Sequence, residues 1–217
     1  MTAVLVAIDG PAGSGKSTLA RGLARWLDLP YVNTGLMYRA LTRRALDDHV
    51  DPGDVEALER LARTLDVDLD MTVEPPELRI EGVRPGQELT TPRVEGSVSL
   101  VSSHPRVRAV LVERQRDLAG DGAVMEGRDI GRVVLPQATV KIYLDATQDE
   151  RAGRRTVERG VGSMAEALAA RDRQDAKTNP FVPADDAIRL DTSGLTAEET
   201  LAEALAIVTE RIAGKPS

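Results

Sequence analysis

Gly10-Pro11-Ala12-Gly13-Ser14-Gly15-Lys16-Ser17-Thr18 has the full spacing G-x-x-x-x-G-K-[ST]. Glycines at these intervals let the backbone curl so that successive N–H groups point at phosphate oxygens. The spacing places Lys16 within reach of the β- and γ-phosphates of a nucleotide and the Ser17 hydroxyl on Mg²⁺. A dinucleotide fingerprint is excluded, because Thr18 stands where G-x-G-x-x-G needs its third glycine. Asp191-Thr192-Ser193-Gly194 has the D-x-x-G form of a GTPase switch, but no N-K-x-D guanine motif accompanies it. It reads better as a turn leading into a capped helix, with Thr196 and Glu199 spaced as a capping box.

A phosphate loop works only when a strand delivers it and a helix leaves it. Val4 to Ile8 is a short run apolar on both faces, as in a central parallel strand. From Lys16 the pattern changes, and Leu19, Leu23, Trp26 and Leu27 make one helical stripe. Further strands read at Ala123 to Glu126, Val140 to Leu144 and Ala187 to Leu190. Helices read at Arg106 to Leu118, with Val107, Val110, Leu111 and Leu118 on one face, and at Glu198 to Ile212. Alternating strands and helices predict a parallel sheet covered on both faces. Period-two alternation through Val67, Leu69, Met71 and Val73, then Leu78 and Ile80, predicts an antiparallel insertion over about 66–95. The arginine- and glycine-rich segment from Arg151 to about Met164 is a candidate lid.

Composition narrows the partners. The chain has 217 residues, 28 Lys+Arg against 35 Asp+Glu, and a formal net charge of −7. That balance opposes binding to nucleic-acid polymers or acidic membranes. Twenty-four of the basic residues are arginines, the side chain suited to bidentate grips on phosphate. The absence of cysteine excludes disulfides and thiolate sites, and two histidines, His49 and His104, leave no His-rich metal site. No apolar run is long enough to span a bilayer and no signal peptide is legible, so a cytoplasmic protein is expected.

Several further segments occur in a telling order: Asn33-Thr34-Gly35-Leu36-Met37-Tyr38-Arg39, His104-Pro105-Arg106-Val107-Arg108, Glu126-Gly127-Arg128-Asp129-Ile130-Gly131, Lys141 to Ala146, Arg151-Ala152-Gly153-Arg154-Arg155, and Arg171-Asp172-x-x-Asp175. Together with the phosphate loop they resemble bacterial cytidylate kinases (CMP/dCMP kinases), members of the P-loop nucleoside monophosphate kinase superfamily, over essentially the whole chain. The resemblance implies an α/β fold with a central parallel β-sheet flanked by helices, an inserted NMP-binding lobe holding a small antiparallel sheet, and a short lid. It divides the chain into core at 1–34, 109–150 and 166–217, lobe at 35–108 and lid at 151–165. The implied reaction moves the γ-phosphoryl group of ATP, with Mg²⁺, to CMP and dCMP.

The resemblance also assigns residues. Thr34, Arg39 and Arg128 match the grip on the acceptor phosphate, Asp129 the acceptor of the cytosine amino proton, and Arg108 and Ser99 the other base contacts. A carboxylate suits cytosine, which presents an amino donor there, and repels uracil, which presents a carbonyl. Arg171 and Asp175 match contacts to the acceptor's phosphate and ribose. The family pattern has an arginine where this chain has Thr178; either neighbouring Lys177 replaces it as a point charge or the other arginines suffice. Lys16, Arg128 and the lid arginines Arg154 and Arg155 are the candidates for stabilising charge on the moving group, with Arg151 and Arg159 beside them. Asp9 and Glu126 end strands where a carboxylate could reach Mg²⁺ through water. A monomer acting on free nucleotides is expected. Two rival readings remain open: a small P-loop kinase for UMP or AMP, and a nucleotide switch protein with no acceptor reaction.

Overall fold

The computed structural model describes residues 4–159 and 182–214, without the side chains of 155–159. Arg171, Asp175, Lys177 and Thr178 lie outside the described residues, as does the C-terminal half of the expected lid.

Seven strands form one sheet in the order β3-β4-β2-β5-β1-β6-β7. They are β1 (Val4–Asp9), β2 (Tyr31–Asn33), β3 (Val67–Asp70), β4 (Glu77–Ile80), β5 (Gly122–Gly127), β6 (Val140–Asp145) and β7 (Ile188–Asp191). All neighbours are parallel except β3 and β4. Val6 and Ile8 of β1 pack into one apolar cluster and Ala7 into the other, and β5 divides Val124 from Ala123 and Met125 in the same way. Both sheet faces are therefore covered, which is why these strands read as unbroken apolar runs.

Helices α1 (Lys16–Leu27) and α7 (Ala197–Ala213) cover one face, while α2 (Thr34–Asp47), α3 (Val55–Thr64), α4 (Pro92–Ser103) and α5 (Pro105–Ala119) cover the other. A further helix, α6 (Gln148–Arg159), follows β6. The capping box of α7 is present in both directions: the Glu199 backbone N–H donates to Thr196 Oγ1, and Thr196 N–H donates to the Glu199 carboxylate. No described helix is long and apolar enough to cross a membrane.

Three expectations shift. Trp26 is 54% exposed, and Ala20 and Ala24 are buried with Leu19 and Leu23 instead. The buried arc of α1 is centred on the alanines' side, and Trp26 falls at its edge. The antiparallel ladder runs over 67–80, with Val67 opposite Ile80 and Leu69 opposite Leu78, and beyond it a lone bridge joins Ile80 to Val83. After it come a short 3₁₀ turn, Gln87–Thr90, and α4, whose Thr91 cap and Pro92 begin a helix inside the stretch expected to be strand. The hairpin is also continuous with the central sheet, because Tyr31 of β2 pairs with Glu77 of β4.

Candidate active site

The register of the central strands assembles the site. Asp9 lies opposite Gly127, Ile8 opposite Glu126, and Asn33 opposite Glu126. The carboxyl ends of β1, β2 and β5 thus bring together the phosphate loop, the Asn33-Thr34 corner and the Gly127-Arg128-Asp129 segment. A crevice at strand carboxyl ends is where open α/β sheets bind ligands.

The phosphate loop needs its glycines. Gly13 has φ +77°, and a Cβ there would stand 2.7 Å from the Arg151 carbonyl oxygen. Gly15, at φ 90°, is the N-cap of α1, so the loop feeds directly into a helix N-terminus. The Lys16 ammonium folds over the loop and donates to the Pro11 carbonyl at 2.6 Å. From the other side α6 presses on the loop: Arg151 Nη1 donates to the Ala12 carbonyl at 3.1 Å. Arg154 donates to Thr192 Oγ1 at 2.9 Å and to the Thr192 carbonyl at 2.7 Å, with its guanidinium beside Gly15. Thr192 in turn reaches the carbonyls of Asp145 and Ser14.

Across the cleft, Thr34 Oγ1 donates to the Glu126 carbonyl at 2.9 Å. Arg39 is held in two directions, by Glu95 Oε1 at 3.0 Å and by the Gly35 carbonyl at 2.9 Å. Arg108 Nη2 and Asp129 Oδ2 pair at 2.5 Å, mostly withdrawn from solvent. The two residues assigned separately to base contacts are therefore partners of each other.

One cavity of about 290 Å³ joins the two halves. Its lining includes Ala12, Gly13, Gly15, Lys16, Ser17 and Thr18 from the loop, and Thr34, Arg39, Ser99, Arg108, Arg128 and Asp129 opposite. Gly10, Pro11 and Ser14 are buried in the loop behind this surface. Arg154 reaches the loop without forming part of the cavity wall; Arg155 is in α6. Of the other motif residues, Lys141 pairs with Asp186 at 2.8 Å, and His104 Nε2 lies 2.8 Å from the Pro52 carbonyl oxygen; neither lines the cavity.

Each of the two strand-end carboxylates has a protein partner. Asp9 accepts from the backbone N–H groups of Ile130 at 2.7 Å and Gly131 at 2.8 Å. These donors belong to a single π-turn, Ile130–Val134, directly after Asp129. Asp9 therefore clamps the acceptor-side loop to the strand that carries the phosphate loop. Glu126 accepts a short hydrogen bond from the Tyr31 hydroxyl, and both groups are buried. No group of three or more acidic or histidine side chains able to hold a metal occurs among the described residues. That donor set suits a cation carried by phosphate oxygens and water with a single protein hydroxyl, and Ser17 supplies one on the cavity wall.

Burial pushes the Asp9 carboxyl up from 3.8 to about 6, and the nearby Asp129 charge adds to this, while the two backbone donors and Lys16 oppose it. Between those values the folded protein keeps a proton that the unfolded chain has released. The stability this group contributes is complete below about pH 4 and lost as the pH rises through about 6, on the order of 3 kcal/mol in all. Asp9→Asn removes the titration. Urea denaturation of both proteins at about pH 4 and pH 7.5 is expected to show the wild type losing on the order of 3 kcal/mol relative to the variant. A difference independent of pH would refute the assignment.

The sequence reading gave no site role to several residues found here: Glu95 and Thr192 hold arginines, while Tyr38, Thr90, Val98, Ser102 and Gln115 line the cavity. Gln115 did leave a signal, because it interrupts the apolar stripe of α5 four residues after Leu111.

Comparison with known proteins agrees with this geometry. A family profile described as cytidylate kinase matches residues 6–210. A cytidylate kinase from Geobacillus kaustophilus is 44% identical over 96% of this chain and 98% of its own length. One from Acidiphilium cryptum is 42% identical over 97% of each. A solved structure of an uncharacterized protein from Eubacterium ventriosum shares the fold at a TM-score of 0.50, with 11% identity over 95% of this chain and 98% of that one. With the profile spanning the phosphate loop, the acceptor side of the cleft and the final helix alike, the chain belongs to the cytidylate kinase family.

Proposed function

We propose that the protein transfers the γ-phosphoryl group of ATP to CMP and dCMP, giving ADP and the cytidine diphosphates, as a step of pyrimidine nucleotide metabolism. The observation that carries this is the single cavity walled by the phosphate loop on one side and by Arg39, Arg108, Arg128 and Asp129 on the other. Donor and acceptor phosphates can meet there. In this reading the loop N–H groups and Lys16 hold the β- and γ-phosphates, and Arg39, Arg128 and Thr34 hold the acceptor phosphate. An oxygen of the CMP phosphate attacks the γ-phosphorus in line, the bond to the β-phosphate oxygen breaks, and ADP departs. The attacking oxygen is already anionic near neutral pH, so no protein base is required. Asp129, Arg108 and Ser99 read the base. Arg154 and Arg155 act from the lid on the moving charge, and Arg171 and Asp175 contact phosphate and ribose.

Ser17 would hold Mg²⁺, which would supply positive charge to offset the negative charge developing on the nucleotide phosphates. The proposal includes the division into core (1–34, 109–150, 166–217), lobe (35–108) and lid (151–165), and a cytoplasmic monomer independent of membranes and nucleic-acid polymers. A net charge of −7 supports that independence. The test is a coupled assay with ATP and Mg²⁺ over CMP, dCMP, UMP and AMP. Rapid ADP release with CMP and dCMP is expected, and no CDP product would overturn the function. Equal turnover of UMP would overturn the base assignment alone.

A further inference from the structure

Arg108 and Gln115 are seven residues apart on α5, two turns, and so face the same side of the helix. Leu111 and Ala119, four residues before and after Gln115, are both in the apolar core. An apolar side chain is expected between them, yet this position holds a carboxamide that is only 1% exposed. It lines the cavity together with Tyr38, Ser99, Arg108 and Asp129. Its Nε2 is buried with no hydrogen-bond partner. The Tyr38 hydroxyl, whose pKa burial raises, is close enough for the Gln115 amide to act on it as a weak donor and oppose that rise, but the contact falls short of full hydrogen-bond geometry and the amide carries a second N–H with no acceptor. A buried N–H left without an acceptor is unfavourable and uncommon, and at a cavity wall a ligand is the natural source of one.

We propose that Gln115 is a base-contact residue of the acceptor site, donating an Nε2 proton to a ring acceptor of the pyrimidine while Asp129 takes the exocyclic amino proton. This rests on the reading of the acceptor as a cytidine nucleotide. Cytosine presents its amino donor beside two ring acceptors, N3 and O2, which matches a carboxylate flanked by N–H donors. Arg108 spends one donor on Asp129. A neutral amide supplies a further N–H there without adding charge to a pair that is already balanced.

Gln115→Met keeps the length of the side chain and removes its donor. Calorimetry at fixed ionic strength is expected to show CMP binding weakened about tenfold, with ATP affinity held within about twofold. The melting temperature of the ligand-free variant is expected to equal or exceed that of the wild type, because the unmet donor is gone. A residue that merely fills space would give the opposite pair of results, and unchanged CMP affinity overturns the assignment. Wild-type protein that fails to bind CMP overturns the cytidine reading itself, which is a distinct outcome. If the variant does not fold, the side-chain amide resonances of Gln115 in selectively labelled wild type decide the matter. A shift with slowed proton exchange on adding CMP, absent with ATP, supports the contact; no change with CMP overturns it.

Discussion

Lys16→Met lowers the turnover number with CMP by roughly 10²- to 10³-fold while leaving CMP binding close to that of the wild type. The substitution preserves the unbranched chain and removes only the ammonium. Lys16 emerges from the first residue of α1, where the helix dipole and the loop N–H groups already favour anions. Its ammonium rests on the Pro11 carbonyl and faces the shared cavity. Phosphoryl transfer calls chiefly for positioning and charge stabilisation, so one lost cation that touches the transferring group weighs heavily. Steady-state assays at saturating ATP and CMP, with calorimetry for CMP, separate the two effects. A turnover number within tenfold of the wild type would reject the role. Equal loss of CMP affinity would point to a collapsed cleft instead.

The donor half was legible because its chemistry is contiguous. Nine neighbouring residues carry the glycines, the lysine and the hydroxyl, and the flanking strand and helix announce themselves by periodicity. The acceptor half was legible only as residue types in order. Its assembly depends on the register that sets Asn33 and Ile8 both opposite Glu126, and no local pattern fixes a register between strands so distant in sequence. The same limit explains the unforeseen partners. Arg39 meets Glu95 across 56 positions, Arg154 meets Thr192 across 38, and Arg108 meets Asp129 across 21. Each pair is made by helices and loops docking on one another.

Asp9 shows the limit most sharply. At the end of β1, in sequence, it is a carboxylate beside a phosphate loop and invites a metal. In the fold each of its oxygens accepts from a backbone donor of the π-turn after Asp129, a feature without a compositional signature. The antiparallel insertion was likewise drawn too long, because the alternation ends at Ile80 and Thr91 with Pro92 already starts α4 inside the expected stretch.

Asp129→Asn reduces the preference for CMP over UMP by about 10²-fold, chiefly through lost activity on CMP and partly through gained activity on UMP. The carboxylate offers only acceptors, which match the cytosine amino group and oppose the uracil carbonyl. An asparagine of the same shape can turn either its oxygen or its NH₂ toward the base, so the opposition disappears. The charge is lost as well, and with it the 2.5 Å pairing that orients Arg108 in a largely buried setting. A hydrogen bond to a charged group contributes about 1.5–3 kcal/mol, which corresponds to roughly 10- to 10²-fold in kcat/KM. The KM for ATP is expected to move less than about threefold, since the phosphate loop lies on the opposite wall. Asp129→Ala separates charge from shape: it also loses CMP activity but gains none on UMP, because it has no amide to present. Should Asn and Ala leave the CMP-to-UMP ratio where the wild type has it, Asp129 serves only to position Arg108, and base selection lies with the remaining cavity donors.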